Sequence, residues 1–157
     1  MGKVVRGMNK GVFAVLLVLT LTLIIAIFCQ VFFRFAFDHN LTWTEELSRY
    51  SLVWITFLGA AYAMATNSHV GMEMIVEKSP LPLRRILIVV GMLVSALFFI
   101  IMIQQGYALS MKAMSQLSPV LKLPMGYVYA IIPISGAILL INLLDVTWKQ
   151  LKGKEKA

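Results

Sequence analysis

Cysteine, histidine and acidic side chains are scarce in this sequence, and each scarcity closes off a class of function. A single cysteine, Cys29, in 157 residues excludes an internal disulfide. The only histidines, His39 and His69, leave no Cys/His cluster with metal-ligand spacing, so no metal site and no redox dithiol is encoded. Charged residues make up 13% of the chain and the hydrophobic set 60%, whereas a soluble domain holds about 25% charged and 45–50% apolar residues. A chain of this length has too little polar material to cover that excess, so much of the apolar surface must face lipid or a partner. Nothing resembles a P-loop, a zincin helix or a nucleophile elbow, and the connections are too short for a separate catalytic module. The chain is therefore not expected to be an enzyme or to hold a cofactor. No linker, low-complexity stretch or internal repeat interrupts it.

The charge that is present is unevenly placed. Fourteen Lys plus Arg against seven Asp plus Glu give a net charge of +7, which on a soluble protein would point to nucleic acid. Here the basic residues avoid four long apolar runs and gather between them, where they set topology and meet anionic headgroups. Membrane lipid is thus an expected partner and nucleic acid is not. A transmembrane helix needs about 20 mainly apolar residues, and residues 11–33, 86–111 and 123–146 satisfy this outright. The remaining run is uncharged only over 51–66. Thr42 with Glu45 three residues on has the form of a capping box, which predicts a helix starting near Trp43 with Glu45, Glu46 and Arg49 in its first two turns.

The fold expected is therefore all-α: one integral membrane domain over 1–157 with four transmembrane helices at about 11–33, 46–66, 86–111 and 123–146. Ten Lys and Arg fall in the two tails and the connection after the second span. Four, Arg34, Arg49, Lys112 and Lys122, fall in the other two connections. The positive-inside rule then places both termini in the cytoplasm. Lys3, Arg6 and Lys10 ahead of an apolar run superficially look like a secretory signal, but 23 uncharged residues exceed an h-region and no small-x-small cleavage site follows. The run is expected to remain as a span. Cys29, preceded by the bulky Phe28, does not fit lipoprotein processing and is read as a small hydrophobe facing lipid or a helix.

Every Asp, Glu, Lys and Arg can lie within about two turns of a membrane surface, which leaves no carboxylate at mid-depth to carry a proton or cation. The polar side chains at the span ends gather on the outer side. Gln30 and Arg34 lie one turn apart on the first helix, Glu45 and Arg49 one turn apart on the second beside Trp43 and Glu46, and Gln104 with Gln105 late in the third. This girdle has two readings: a docking surface for another subunit, or simple interhelical hydrogen bonding and headgroup contact. Gly59 with Ala63, and Gly91 with Ser95, form small-xxx-small pairs that permit close helix approach. Pro133 falls inside the fourth span, where it removes a backbone hydrogen bond and predicts a kink. His39 and His69 fall on opposite sides of the membrane, so they do not face one another as haem ligands.

Three stretches together resemble a known family. They are Trp43-Thr44-Glu45-Glu46-Leu47-Ser48-Arg49-Tyr50 running into Val53-Trp54; His69-Val70-Gly71-Met72-Glu73; and Ser118-Pro119-Val120-Leu121-Lys122-Leu123-Pro124 ahead of Ile132-Pro133-Ile134-Ser135-Gly136. The chain is similar to the small membrane subunit, DctQ-like, of tripartite ATP-independent periplasmic (TRAP) transporters. The resemblance implies a non-catalytic subunit of the bacterial inner membrane that scaffolds a large transport subunit. It further implies ion-coupled, sodium-driven uptake of a small organic acid, a dicarboxylate or an acidic sugar such as sialic acid, delivered by a periplasmic binding protein. Two other classes stand beside it. A small homo-oligomeric exporter would need a carboxylate embedded in the membrane, which the first span lacks; a membrane anchor of a respiratory enzyme would show a haem spectrum.

Overall fold

The computed structural model describes residues 2–37, 41–66 and 81–152. His39, the segment from His69 to Glu73, and the tail lysines Lys154 and Lys156 lie outside them. In lipid the backbone must satisfy its own hydrogen bonds, and the chain does so as helix throughout its apolar runs. The elements are α1 (Gly2–Phe37), α2 (Thr42–Ala65), α3 (Leu81–Ala113), the short α4 (Met125–Tyr129) and α5 (Ile131–Lys152). Among the described residues there is no β-strand, only an isolated antiparallel bridge between Leu117 and Pro124.

Among the described residues, three stretches are long and apolar enough to cross a membrane: Val4–Phe37, Val89–Ala113 and Met125–Trp148. With 36 residues, α1 measures about 54 Å at helical rise, well beyond a hydrocarbon core of about 30 Å. Tilt or projection from the bilayer must absorb the difference. α2 has 24 residues, enough length to cross, but its charged first turns and scattered hydroxyls leave it less apolar than the other three.

The helices do not close into a bundle. α1 packs along α2, α2 along α5, and α5 along α3; α1 touches α5 only slightly and, among the described residues, makes no contact with α3. The result is an open row with α2 and α5 in the middle. Burial follows this order, since 39% of the span ending α5 is buried against 11% in each of the flanking spans of α1 and α3. Val18, Leu21, Ile25 and Phe28 on α1, and Leu93, Val94, Leu97 and Phe98 on α3, are all more than half exposed. Two clusters hold the row together. Ala61, Met64, Phe99, Leu139 and Leu143 join α2, α3 and α5, while Val12, Leu58 and Ile131 join α1, α2 and the start of α5.

The small residues that let helices approach are not those the spacing singled out. A Cβ on Gly106 would stand 2.7 Å from Ile132 Cγ2 and 2.9 Å from Pro133 Cδ, so the α3–α5 seam closes only because that atom is missing. Gly59 has nothing within 4 Å of the same position, Ala63 is exposed, and Gly91 and Ser95 are half-buried. The Gly59–Ala63 face of α2 thus points away from the chain's other helices. Pro133 was expected inside a continuous span. It does fall inside the crossing stretch Met125–Trp148, in the first turn of α5. The discontinuity lies upstream at Ala130, whose N–H still reaches Gly126 O at 2.9 Å while its own carbonyl accepts from Ile134 at 3.3 Å. The two segments therefore join as a bend. The capping box also does not form: Leu41 is the N-cap in an extended conformation, Thr44 Oγ1 donates back to Leu41 O at 2.7 Å, and Glu45 is drawn to Arg49 instead. The helix nonetheless begins within one residue of the predicted start.

One polar tie crosses three helices at the end of the row that carries the termini. Asn9 and Asn142 exchange side-chain hydrogen bonds at 2.9 and 3.1 Å, and Asn142 Nδ2 also donates to Ala61 O at 2.9 Å. Asn142 is fully buried. Removing one partner strands the other amide and costs about 1–3 kcal/mol, whereas removing both together costs less than the sum. Asn142→Leu is therefore expected to lower the melting temperature of the detergent-purified protein, and Asn9→Leu combined with Asn142→Leu is expected to recover part of that loss. Strictly additive losses in a thermal melt would contradict the tie.

Candidate functional site

At the opposite end of the row, the connection between α3 and α4 folds back on α2. Its neck is closed by Met125 N–H donating to Gln116 O at 2.8 Å and Ser118 N–H donating to Leu123 O at 2.9 Å. Leu123 N–H also reaches Ser118 Oγ at 3.2 Å, and Ser118 is 1% exposed. Lys122 takes a left-handed conformation with φ 53°, an unusual state for a residue with a Cβ, which turns the tip of the loop. Gly126 allows this loop to sit close: a Cβ there would lie 2.6 Å from Ser110 O. Ser110 Oγ donates to Gly126 O at 2.8 Å, tying the last turns of α3 to α4.

The loop tip is held by one carboxylate. Glu46 Oε2 accepts from the backbone N–H of Leu121 at 2.7 Å and of Val120 at 3.1 Å. Glu46 Oε1 accepts from Tyr50 Oη at 2.6 Å, and that hydroxyl lies 3.3 Å from Met125 Sδ. Glu46 is buried, 8% exposed, and is the only buried ionisable side chain among the described residues. A buried carboxylate is tolerated because its lone pairs meet donors, and here the donors are two backbone amides that would otherwise be left over at a tight loop tip. What this geometry can do is mechanical. It fixes the loop, and with it the start of α4 and α5, against the first turns of α2.

The girdle residues divide accordingly. Glu46 is turned inward, whereas Glu45 and Arg49 form an exposed pair at 3.0 Å, and Trp43 is 44% exposed. Arg34 is exposed and Gln30 half-buried on α1; Gln104 and Gln105 are exposed on α3. Because α1 and α3 flank the row without touching, the glutamines of α3 are not brought together with Gln30 and Arg34. The residues that sequence reasoning did not select are Tyr50, Ser118, Asn9 and Asn142. An amide amid the apolar run Leu139–Leu144 is a visible signal for Asn142; nothing local marks Ser118.

Described residues that are helical almost throughout, with three membrane-crossing stretches among them, define a multi-pass membrane protein. The particular family follows from sequence comparison. The chain belongs to the DctQ component family of tripartite ATP-independent periplasmic transporters, whose family model matches residues 23–153. It is 36% identical over 111 residues to the C4-dicarboxylate TRAP transporter small permease protein DctQ of Rhodobacter capsulatus, covering 69% of this chain and 49% of that protein. It is 29% identical over 136 residues to a putative TRAP transporter small permease protein of Haemophilus influenzae, covering 84% of each. It is also 28% identical over 105 residues to the isethionate TRAP transporter permease protein DctMQ of Oleidesulfovibrio alaskensis, covering 66% of this chain but 16% of that one. The chain thus spans about half the length of the first of these relatives and a small part of the last. Membership of this non-enzymatic permease family, with the three crossing stretches, makes it a multi-pass protein of the inner membrane.

The clamp makes a specific prediction. Glu46→Ala removes the acceptor from two backbone amides and is expected to speed hydrogen exchange at Val120 and Leu121 about tenfold or more, the scale of a lost charge-assisted bond. Arg49→Ala breaks only an exposed ion pair, worth about 0–1 kcal/mol, and is expected to change those rates less than about twofold. Mass-spectrometric exchange on the loop peptide reads both, and equal effects would contradict the clamp.

Proposed function

We propose that this chain is the small, non-transporting permease subunit of a TRAP-type secondary transporter and that it serves as a rigid frame for a large membrane subunit. The observation that carries the proposal is the employment of Glu46. The one buried ionisable side chain among the described residues has its oxygens committed to a loop and a tyrosine, which leaves it unsuited to hold a proton, a cation or a substrate in transit. The open row adds to this, since its flanking helices offer two broad apolar faces.

In this reading α2 crosses the membrane as a fourth span, and its charged first turns lie with the clamped loop on the periplasmic side. Both termini then lie in the cytoplasm, as the surplus of Lys and Arg on that side favours. The large partner is supported by the relative named DctMQ, in which the matching region is a small part of a much longer permease protein. The exposed members of the girdle, Arg34, Trp43, Glu45, Arg49, Gln104 and Gln105, with the half-buried Gln30, supply polar contacts to that partner or to a periplasmic binding protein. Gly59 and Ala63 offer it a flat helix face. The transported solute is a small organic acid, consistent with relatives named for C4-dicarboxylate and isethionate. A dicarboxylate or an acidic sugar such as sialic acid fits, with a sodium gradient as the driving force. That those two relatives carry different solute names supports selectivity residing in the partners.

Reconstitution tests the proposal. Proteoliposomes containing this chain alone are expected to show no gradient-driven uptake, whereas those containing it with the adjacent large permease protein and a loaded binding protein take up solute. Uptake by the chain alone, or full uptake by the large protein without it, would overturn the frame reading.

A further inference from the structure

The end of the row that carries the termini holds a feature that the frame role does not require. Between the first turns of α1 and the last turns of α2 and α5 lies a cleft of about 330 Å³. Arg6 and Lys10 line it from α1, one helical turn apart, so that both cationic heads rise from the same face. Both are exposed, and neither forms a salt bridge among the described residues. The back of the cleft is the Asn9–Asn142 amide pair, whose mutual hydrogen bonds make it a fixed polar surface. One turn deeper, Phe13 and Tyr62 meet with ring centroids 5.4 Å apart and form an aromatic wall. Asp145, the acid on the lining, has an interaction of its own within the chain.

The lining therefore changes character along the membrane normal. Two cations stand at the mouth, neutral amides lie behind them, and an aromatic wall continues toward the apolar middle of the helices. The mouth also lies between the start of the crossing stretch that begins at Val4 and the end of the one that closes at Trp148. We propose that this cleft binds the headgroup of an anionic phospholipid, with the phosphodiester held between Arg6 and Lys10 and the upper acyl chain lying against Phe13 and Tyr62. The chemistry recognised is a phosphate ester at the surface of a bilayer; a free phosphate shares the charge but lacks the chain that the aromatic wall would cover. Cations near a membrane surface attract anionic lipid, and aromatic side chains favour the interfacial depth. An occupied cleft would lash α1 to α5, which otherwise touch only slightly.

The test uses the full-length chain, delipidated in detergent and titrated with phosphatidylglycerol, with thermal unfolding and native mass spectrometry as readouts. Phosphatidylglycerol is expected to raise the melting temperature and to appear as a bound adduct, and an equal concentration of phosphatidylcholine to do so much less. Arg6→Gln with Lys10→Gln is expected to raise the half-saturating phosphatidylglycerol concentration about thirtyfold, about fivefold for each cation, while leaving the melting temperature without lipid unchanged. Lys112→Gln with Lys122→Gln, on the other side of the row, is the control and should titrate like the unaltered protein. The proposal is overturned if the first pair titrates like the unaltered protein, or if the control pair loses as much. It is also overturned if inorganic phosphate at the same concentration gives the full stabilisation, because the ligand would then be a free anion.

Discussion

The architecture depends on how α2, the least apolar of the four long helices, is kept in the middle of the row. Lipid offers no hydrophobic drive for one apolar helix to pack on another, so specific polar ties set the order. α2 has one at each end. Glu46 binds it to the loop that leads into α4 and α5, and Ala61 O receives the amide of Asn142, itself paired with Asn9 of α1. Between these ties the contacts are apolar, and they run from α1 through α2 to α5. α3 joins the far side through Gly106, where the missing Cβ lets Ile132 and Pro133 come close. An open row is the consequence: each helix is fixed to its neighbour, and nothing draws the flanking helices α1 and α3 together.

The same constraint gives Glu46 its task. A transporter that moved solute through this chain would need a group free to change partners during the cycle. Glu46 instead meets three donors at 2.6 to 3.1 Å, two of them backbone amides that have no better acceptor at a loop tip. Two of the three stretches that carry the family resemblance, one around Glu46 and Tyr50 and the other from Ser118 to Pro124, lie about 70 residues apart in sequence and meet at this carboxylate. Their shared purpose in this fold is mechanical: together they fix the loop against the first turns of α2.

Much of this was legible in the sequence, and the exceptions have physical reasons. Long apolar runs without charge are read directly as helices, because lipid permits little else. The start of α2 was found within one residue although the capping box proposed for it is absent, since the change from loop to amphipathic helix is set by several residues and not by the cap alone. Spacing pointed to Gly59 and Ala63 and passed over Gly106, because a small-xxx-small pattern says that close approach is possible but not which partner arrives. Pro133 was placed inside the last span as the cause of a kink, and it does lie in the stretch Met125–Trp148, with the helix interrupted one turn ahead of it at Ala130. The inward turn of Glu46 was not legible, for a charged residue in the first turns of a helix reads as solvent- or headgroup-facing until the loop that covers it is known.

The central claim is that the row is an open frame that keeps its shape while the partner works. It is tested most directly by spin labels at Ile24 on α1 and Leu97 on α3, both outward-facing, with Cys29 replaced by serine. Pulsed electron-spin distance measurement in the assembled transporter, with and without solute and its driving gradient, reads the separation. The account predicts one narrow distribution, well beyond a single helix-to-helix step of about 8–10 Å and the same in every condition. A distance of one step, or a distribution that shifts when solute is added, would contradict it.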